Sequence, residues 1–229
     1  LRHDELERKR CEENEKRAGE IRAEWLKKVP SALRLCGVPR RFLLASAADL
    51  APNLSALLAG DEKNLFLTGV TGSGKTHLAV AAMRAYLERL DPVIEDHETG
   101  LVKASALGGL LPRMISAPEF LLAIRRSFNR EASEDADGEG EILDSYSEVE
   151  FLVIDDLGAE KASEWSIQML YLLIDRRYRD AQRTIVTSNL GLDEIELRLS
   201  DRIASRIAGM CDVVALDGPD RRLTREGGA

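Results

Sequence analysis

The sequence predicts an α/β fold, a five-stranded and mostly parallel sheet held between helices. Three observations carry that reading. Short apolar runs alternate with stretches of helical periodicity from Asn64 onward. A glycine-rich run, Gly69 to Thr76, sits where one apolar run gives way to a helix. A further run, Phe151 to Ile154, is apolar at every position, as a strand buried on both faces should be, and it ends in two aspartates.

The elements follow in order. Residues 1 to 28 mix both charges densely, with Leu6, Ile21, Trp25 and Leu26 as sparse apolar points. They read as an exposed helix laced with i,i+4 ion pairs, either a solvated linker or a docking helix for a partner. Pro30 and Pro39 are expected to break the pattern, with a connecting segment running to Asp49. Leu65 to Leu67 is the first strand, followed by a helix whose Leu78, Ala81, Ala82, Ala85 and Leu90 suit one face. Residues 91 to 109 read as a loop or small insertion. Arg113 to Ser116 is the second strand, and Ser116 with Glu119 forms a capping-box signature before a helix carrying Phe120, Leu121, Ile124 and Phe128. Residues 131 to 150 hold nine acidic side chains and no Lys or Arg, so the first part of that stretch is expected to be an acidic loop. After the Phe151 strand, a helix from Ser163 to Arg179 points Trp165, Leu170, Leu173 and Ile174 inward. Thr184 to Thr187 and Val213 to Leu216 complete the five strands. We divide the chain into a charged helical segment with its linker, residues 1–45, and an α/β domain, residues 46–229. The chain opens with Leu1, so a preceding segment is expected.

Composition excludes several classes. With 229 residues and 44% hydrophobic side chains, a sizeable core is available and wholesale disorder is ruled out. The formal charge of −8 argues against a dedicated duplex binder with a basic surface, while leaving room for a local nucleic-acid contact. Cys11, Cys36 and Cys211 are scattered and odd in number, which argues against a disulfide framework or zinc site and for a reducing, cytoplasmic setting. No apolar stretch approaches membrane-spanning length.

The chemistry concentrates in three motifs. Gly69-Val70-Thr71-Gly72-Ser73-Gly74-Lys75-Thr76, followed by His77, matches G-x-x-x-x-G-K-[ST] at a strand-to-helix junction. Glycines let backbone N–H groups curl around phosphate oxygens, and the helix N-terminus adds its positive dipole end. Lys75 is expected to reach the β- and γ-phosphates of ATP, and Thr76 to ligand Mg²⁺. Asp155 and Asp156 end the central strand; Asp155 is the candidate for the Mg²⁺ shell and Asp156 for orienting or deprotonating the attacking water. Thr187-Ser188-Asn189 ends the fourth strand, where a polar side chain either holds that water or simply forms a turn.

Together these motifs resemble the AAA+ ATPases of the P-loop class, and more narrowly the bacterial replicative helicase loaders of DnaC/DnaI type with their IstB relatives. The likeness spans roughly Val38 to Arg222 and is most specific at Leu152 to Lys161, Glu164-Trp165, Leu170-Tyr171, Arg177-Tyr178 and Thr187 to Asn189. It implies that Asn189 is the sensor of the γ-phosphate. It implies too that Asp201 to Arg206 supplies an arginine finger to a neighbouring copy, with Arg206 as the finger and Arg202 as a second basic contact. At Gly218 to Arg222 the family's aromatic is replaced by Arg221, which leaves the role of Arg222 open. Thirteen residues follow Leu216, too few for a full C-terminal helical lid, so a neighbouring protomer is expected to cover the nucleotide and an isolated one to hydrolyse ATP weakly.

The implied function is loading of a replicative helicase onto single-stranded DNA, with weak DNA binding and a homo-oligomeric active form. The Arg125, Arg126 and Arg130 cluster around Phe128 is the candidate DNA contact, the alternative being that these arginines pair with the acidic loop. An IstB-type transposition ATPase, a P-loop kinase of a small metabolite, and a nucleotide-gated adaptor without turnover are the competing readings. Acidity, the lack of a tryptophan after Asn189, and the acidic stretch where a kinase would carry an arginine-rich lid weigh against the first two.

Overall fold

Whether a strand is buried on one face or two decides where this molecule keeps its core. In a computed structural model, which describes residues 2–49, 64–95, 101–104, 111–128 and 139–217, the central strands are buried on both. Helix α1 (Arg2–Leu35) leads through two 3₁₀ turns to β1 (Leu65–Thr68) and α2 (Lys75–Arg89). A hairpin of β2 (Val93–Glu95) and β3 (Val102–Ala104) precedes β4 (Arg113–Ser116), α3 (Ala117–Phe128) and α4 (Glu139–Ser147). Then come β5 (Phe151–Leu157), α5 (Glu164–Arg179), β6 (Arg183–Ser188), α6 (Leu192–Arg198), α7 (Asp201–Met210) and β7 (Asp212–Ala215). Five strands form one parallel sheet in the order β4-β5-β6-β1-β7.

Period-2 alternation splits the strand residues between two cores. Leu65, Leu67, Phe151, Val153 and Ile185 face α2 and the end of α1; Phe66, Leu152, Ile154 and Val186 face α3, α4, α5 and α7. Helix α5 starts where the sequence offers a cap, since the Ser163 hydroxyl accepts from the Ser166 N–H. Leu170, Leu173 and Ile174 of α5 are buried as expected, while Trp165 is half-buried. Among the described residues no helix is long and apolar enough to cross a membrane.

One expectation is corrected. The helical pattern does not break at Pro30: α1 continues to Leu35 with that proline inside it. An interior proline costs about 3 kcal/mol. Here it is offset by Val29, Ala32, Leu33 and Cys36, which pack against the sheet and α2, at about 1.5–3 kcal/mol for each large apolar side chain buried. The Trp25 indole N–H also donates to the Leu87 carbonyl at 2.8 Å, and Arg22 pairs with Asp91 at 2.6 Å. The second half of this helix is therefore part of the core and not a solvated linker. The loop or insertion at 91–109 contains the antiparallel β2–β3 pair, with Val93 opposite Ala104. The acidic 131–138 segment, Arg130 and Gly218 to Arg222 lie outside the described residues; the later acidic residues form α4.

Candidate functional site

The site lies at the carboxyl ends of β1, β5 and β6, where open parallel sheets bind their ligands. The chain leaves β1 at Gly69, whose φ of +142° suits glycine; a Cβ there would lie 2.4 Å from the Leu216 carbonyl oxygen. At the far end of the loop Gly74 adopts φ +101° as it caps α2. Both positions require glycine, and between them the backbone curls back so that the Ser73 N–H donates to the Val70 carbonyl at 3.2 Å. Val70 and Thr71 are exposed at the loop's tip, Gly72 and Thr76 half-buried, Ser73 and Lys75 buried, and His77 half-buried in the first turn of α2.

Lys75 is the buried cation of the site. Its ammonium donates to the Gly69 carbonyl at 2.7 Å, to the Val70 carbonyl at 2.9 Å and to Asn189 Oδ1 at 2.7 Å. Asn189 is carried just past β6, which neighbours β1 in the sheet, so the pairing follows from strand order. On the other side of the loop, the Thr76 hydroxyl donates to Asp155 Oδ1 at 3.1 Å. Asp155 is 8% exposed, and burial pushes its carboxyl above the usual carboxylate range against the opposing hydrogen bonds from Thr187 and Thr76.

Asp156 is set apart from its neighbour by a bulge. Register runs Ile154 to Val186 and then Leu157 to Ser188, so two aspartates stand opposite Thr187 alone. Asp156 takes a left-handed backbone (φ +54°), at a cost of about 1 kcal/mol, and its side chain is exposed. Alternation alone would send the two carboxylates to opposite faces. The bulge sits at the second one, which is exposed while the first is buried.

Thr187 opens the strand-end motif that the sequence offers for holding the water or forming a turn, and its contacts are to the aspartates instead. Its buried hydroxyl donates to Asp155 Oδ1 at 2.6 Å and accepts from the Asp156 N–H at 3.0 Å, so it holds both aspartates in place. The signal available was a β-branched hydroxyl two residues before Asn189, which a strand of that type would carry anyway. Glu160 was missed: it is buried, accepts from the Gly158 N–H at 3.0 Å, and has its carboxyl pushed up by burial.

The structure thus links Lys75, Thr76, Asp155 and Asn189 by hydrogen bonds, with Asp156 alongside. Arg202 and Arg206 stay outside that set. Both are carried by α7, where Arg202 is exposed and Arg206 pairs with Asp175. A cavity of about 510 Å³ lies elsewhere: Tyr86, Arg89, Glu150 and Arg183 line it at the amino ends of β5 and β6.

A hydroxyl and a carboxylate side by side are hard oxygen donors, which fit Mg²⁺ better than a softer ion. The glycine-walled loop and the buried ammonium beside it fit a chain of phosphates.

Similarity to known proteins agrees with this geometry. No family model matches the chain. The uncharacterized protein YqaM of Bacillus subtilis (strain 168) is 28% identical over 172 residues, covering 72% of this chain and 46% of its own length. The replicative helicase loader DnaC of Escherichia coli (strain K12) is 23% identical over 148 residues, 65% of this chain and 51% of that protein. The chain therefore spans about half the length of the curated relatives it matches. Among solved structures, the DnaC helicase loader aligns with a TM-score of 0.60 at 21% identity, over 78% of this chain and 100% of that one. DnaI aligns at 0.58 and 23% identity, over 81% and 94%. The fold is that of the AAA+ P-loop proteins, and the resemblance to DnaC/DnaI-type loaders read from the motifs recurs in sequence and in architecture.

Proposed function

We propose that this chain binds ATP with Mg²⁺, hydrolyses it weakly as an isolated protomer, and acts in the cytoplasm as a loader of a replicative helicase onto single-stranded DNA. The observation that carries the proposal is the Lys75–Asn189 contact at 2.7 Å beside the Thr76–Asp155–Thr187 chain. It brings a phosphate-binding cation, the sensing amide and a metal-type donor pair to one sheet end.

The roles follow from the contacts. Lys75 exchanges its two loop carbonyls for phosphate oxygens, a charge-assisted gain that neutral carbonyls do not match. Asn189, hydrogen-bonded to the same ammonium, is released or redirected by that exchange and so registers an occupied γ-position. Thr76 and Asp155 would hold Mg²⁺, which when bound neutralises charge on the phosphates. Asp156, exposed at the bulge, orients or deprotonates the attacking water. Arg206 completes the site of a neighbouring copy, with Arg202 as a second basic contact on the same helix.

For the partner and the DNA we rely on the resemblance together with charge. The exposed first half of α1 would meet the helicase. Exposed Arg125 and Arg126 on α3, with Leu122 45% exposed beside them, would contact single-stranded DNA weakly. The test is a pulldown against a cognate replicative helicase with and without ATP. Nucleotide-dependent capture supports the loader reading, and no capture in either state, from a chain that binds ATP, defeats it.

A further inference from the structure

Arg206 is gripped from one side. Its Nε donates to Asp175 Oδ1 at 2.7 Å, and its guanidinium lies 4.7 Å above the Tyr178 ring. Asp175 and Tyr178 lie on α5, one turn apart, and Asp175 is itself fixed by Arg179 at 3.1 Å, with its side chain only 13% exposed. Gly209 on α7 leaves room for the ring, since a Cβ there would lie 3.2 Å from Tyr178 Cε2. Yet the Arg206 side chain remains 36% exposed. Arg202, one turn earlier on α7, is exposed and has no side-chain hydrogen bond or ion pair among the described residues.

A free arginine loses much rotamer entropy when it is fixed on a ligand. An arginine held through Nε by a carboxylate, with one face on a ring, has lost most of that freedom already. Its plane is set, and its edge can still be offered to a bidentate acceptor such as a phosphate. We propose that Asp175 and Tyr178 are positioning residues that brace Arg206 and present it, oriented, to the phosphates held by a second copy of this chain. The inference rests on the reading of Arg206 as a finger acting in trans. A lysine at 206 would lack both the Nε donor and the flat face, so Arg206→Lys should not replace it.

The experiment mixes two inactive full-length variants. Arg206→Ala keeps its pocket and lacks the finger, while Asp156→Asn keeps the finger and lacks the water-orienting carboxylate. ATP turnover on mixing reports fingers acting across the interface. Asp175→Asn added to the Asp156→Asn chain, the finger donor, should lower that turnover by about tenfold to a hundredfold, as misplacement of a catalytic group does, with KM for ATP unchanged. Added to the Arg206→Ala chain it should change nothing, because that chain has no finger to brace. Tyr178→Phe on the donor should retain turnover and Tyr178→Leu should lower it; Arg179→Ala, which removes the other partner of Asp175, should be silent. Undiminished or raised turnover with Asp175→Asn on the donor overturns the brace. Equal loss from both placements overturns it too, by showing that Asp175 serves the fold. No turnover from the starting pair defeats the finger reading itself, and the brace with it.

Discussion

Two buried cations stand at opposite ends of the same sheet. Lys75, at the carboxyl end of β1, is 5% exposed and holds two carbonyls and one side-chain amide. Arg177, near the amino end of β6, is 0% exposed and holds five acceptors: the carbonyls of Tyr146, Ser147, Val149 and Arg183, and the Thr184 hydroxyl. Neither pairs with a carboxylate among these contacts. What separates them is what their partners are fastened to. The acceptors of Arg177 belong to the segment before β5 and the start of β6, so the guanidinium ties two chain crossings to α5 through Nε, Nη1 and Nη2. The acceptors of Lys75 belong to a loop with glycine at both ends and to a side chain past a strand end. Those contacts can be exchanged for a phosphate without dismantling an element. A buried cation whose partners are anchored is fixed in the fold, and one whose partners sit on a replaceable loop can trade them for the oxygens of a ligand.

That contrast is most sharply tested by exchanging each cation for a neutral side chain. Lys75→Ala should lower ATP affinity by about a hundredfold or more, as loss of a charge-assisted contact to phosphate does, with little change in thermal midpoint. Calorimetry showing equal affinity in variant and parent would remove the basis of the site. Arg177→Met should do the reverse, costing about 3 kcal/mol or more because several buried acceptors lose their donor, as read from the urea midpoint. ATP affinity of the folded fraction should stay as in the parent, and a weakened affinity would mean that Arg177 is coupled to the loop after all.

Smaller effects sharpen the carboxyl end alone. Burial raises the Asp155 carboxyl above its ordinary range, so ionised Asp155 is a burden on the folded, nucleotide-free chain. A carboxyl raised on folding binds more protons folded than unfolded, so its contribution to stability falls as pH rises through the interval between the two values. Asp155→Asn should therefore raise the apo thermal midpoint and abolish hydrolysis. A lowered midpoint would show that the hydrogen bonds from Thr76 and Thr187 outweigh the burial. The smallest effect is expected on α3, where the Arg125 guanidinium lies 5.0 Å above the Trp165 ring. Arg125→Ala with Arg126→Ala should weaken single-strand binding severalfold at low salt and flatten its salt slope, leaving ATP binding intact. Unchanged anisotropy with a short oligonucleotide would place the DNA path elsewhere.

Much of this was legible beforehand. The glycine-rich loop could be read because its geometry is local: one contiguous strand, turn and helix supplies the backbone N–H groups, the glycines and Lys75 together. The central strands were legible because burial on both faces leaves an unbroken apolar run. Asp155 was legible through position, at the end of such a run.

What stayed hidden depends on which elements become neighbours. Asn189 meets Lys75 and Thr187 meets Asp155 only because β6 lies between β5 and β1, and no spacing along the chain encodes that order. The bulge that parts Asp155 from Asp156 arises in the pairing of two strands, not in either one. Pro30 looked like a helix end because local propensity says so; the apolar side chains that hold α1 together across it find their partners on α2 and the sheet. The resemblance singled out Arg206 as a finger and gave Arg177 no role of its own, and only the packing shows the one braced at the surface and the other sealed among carbonyls. Sequence by itself determined the elements and the glycine-rich loop, because propensity, periodicity and backbone donors act over a few residues. The tertiary structure alone decided which carboxylate, amide and arginine face which, because a hydrogen bond between groups a hundred residues apart is set by strand order and helix packing.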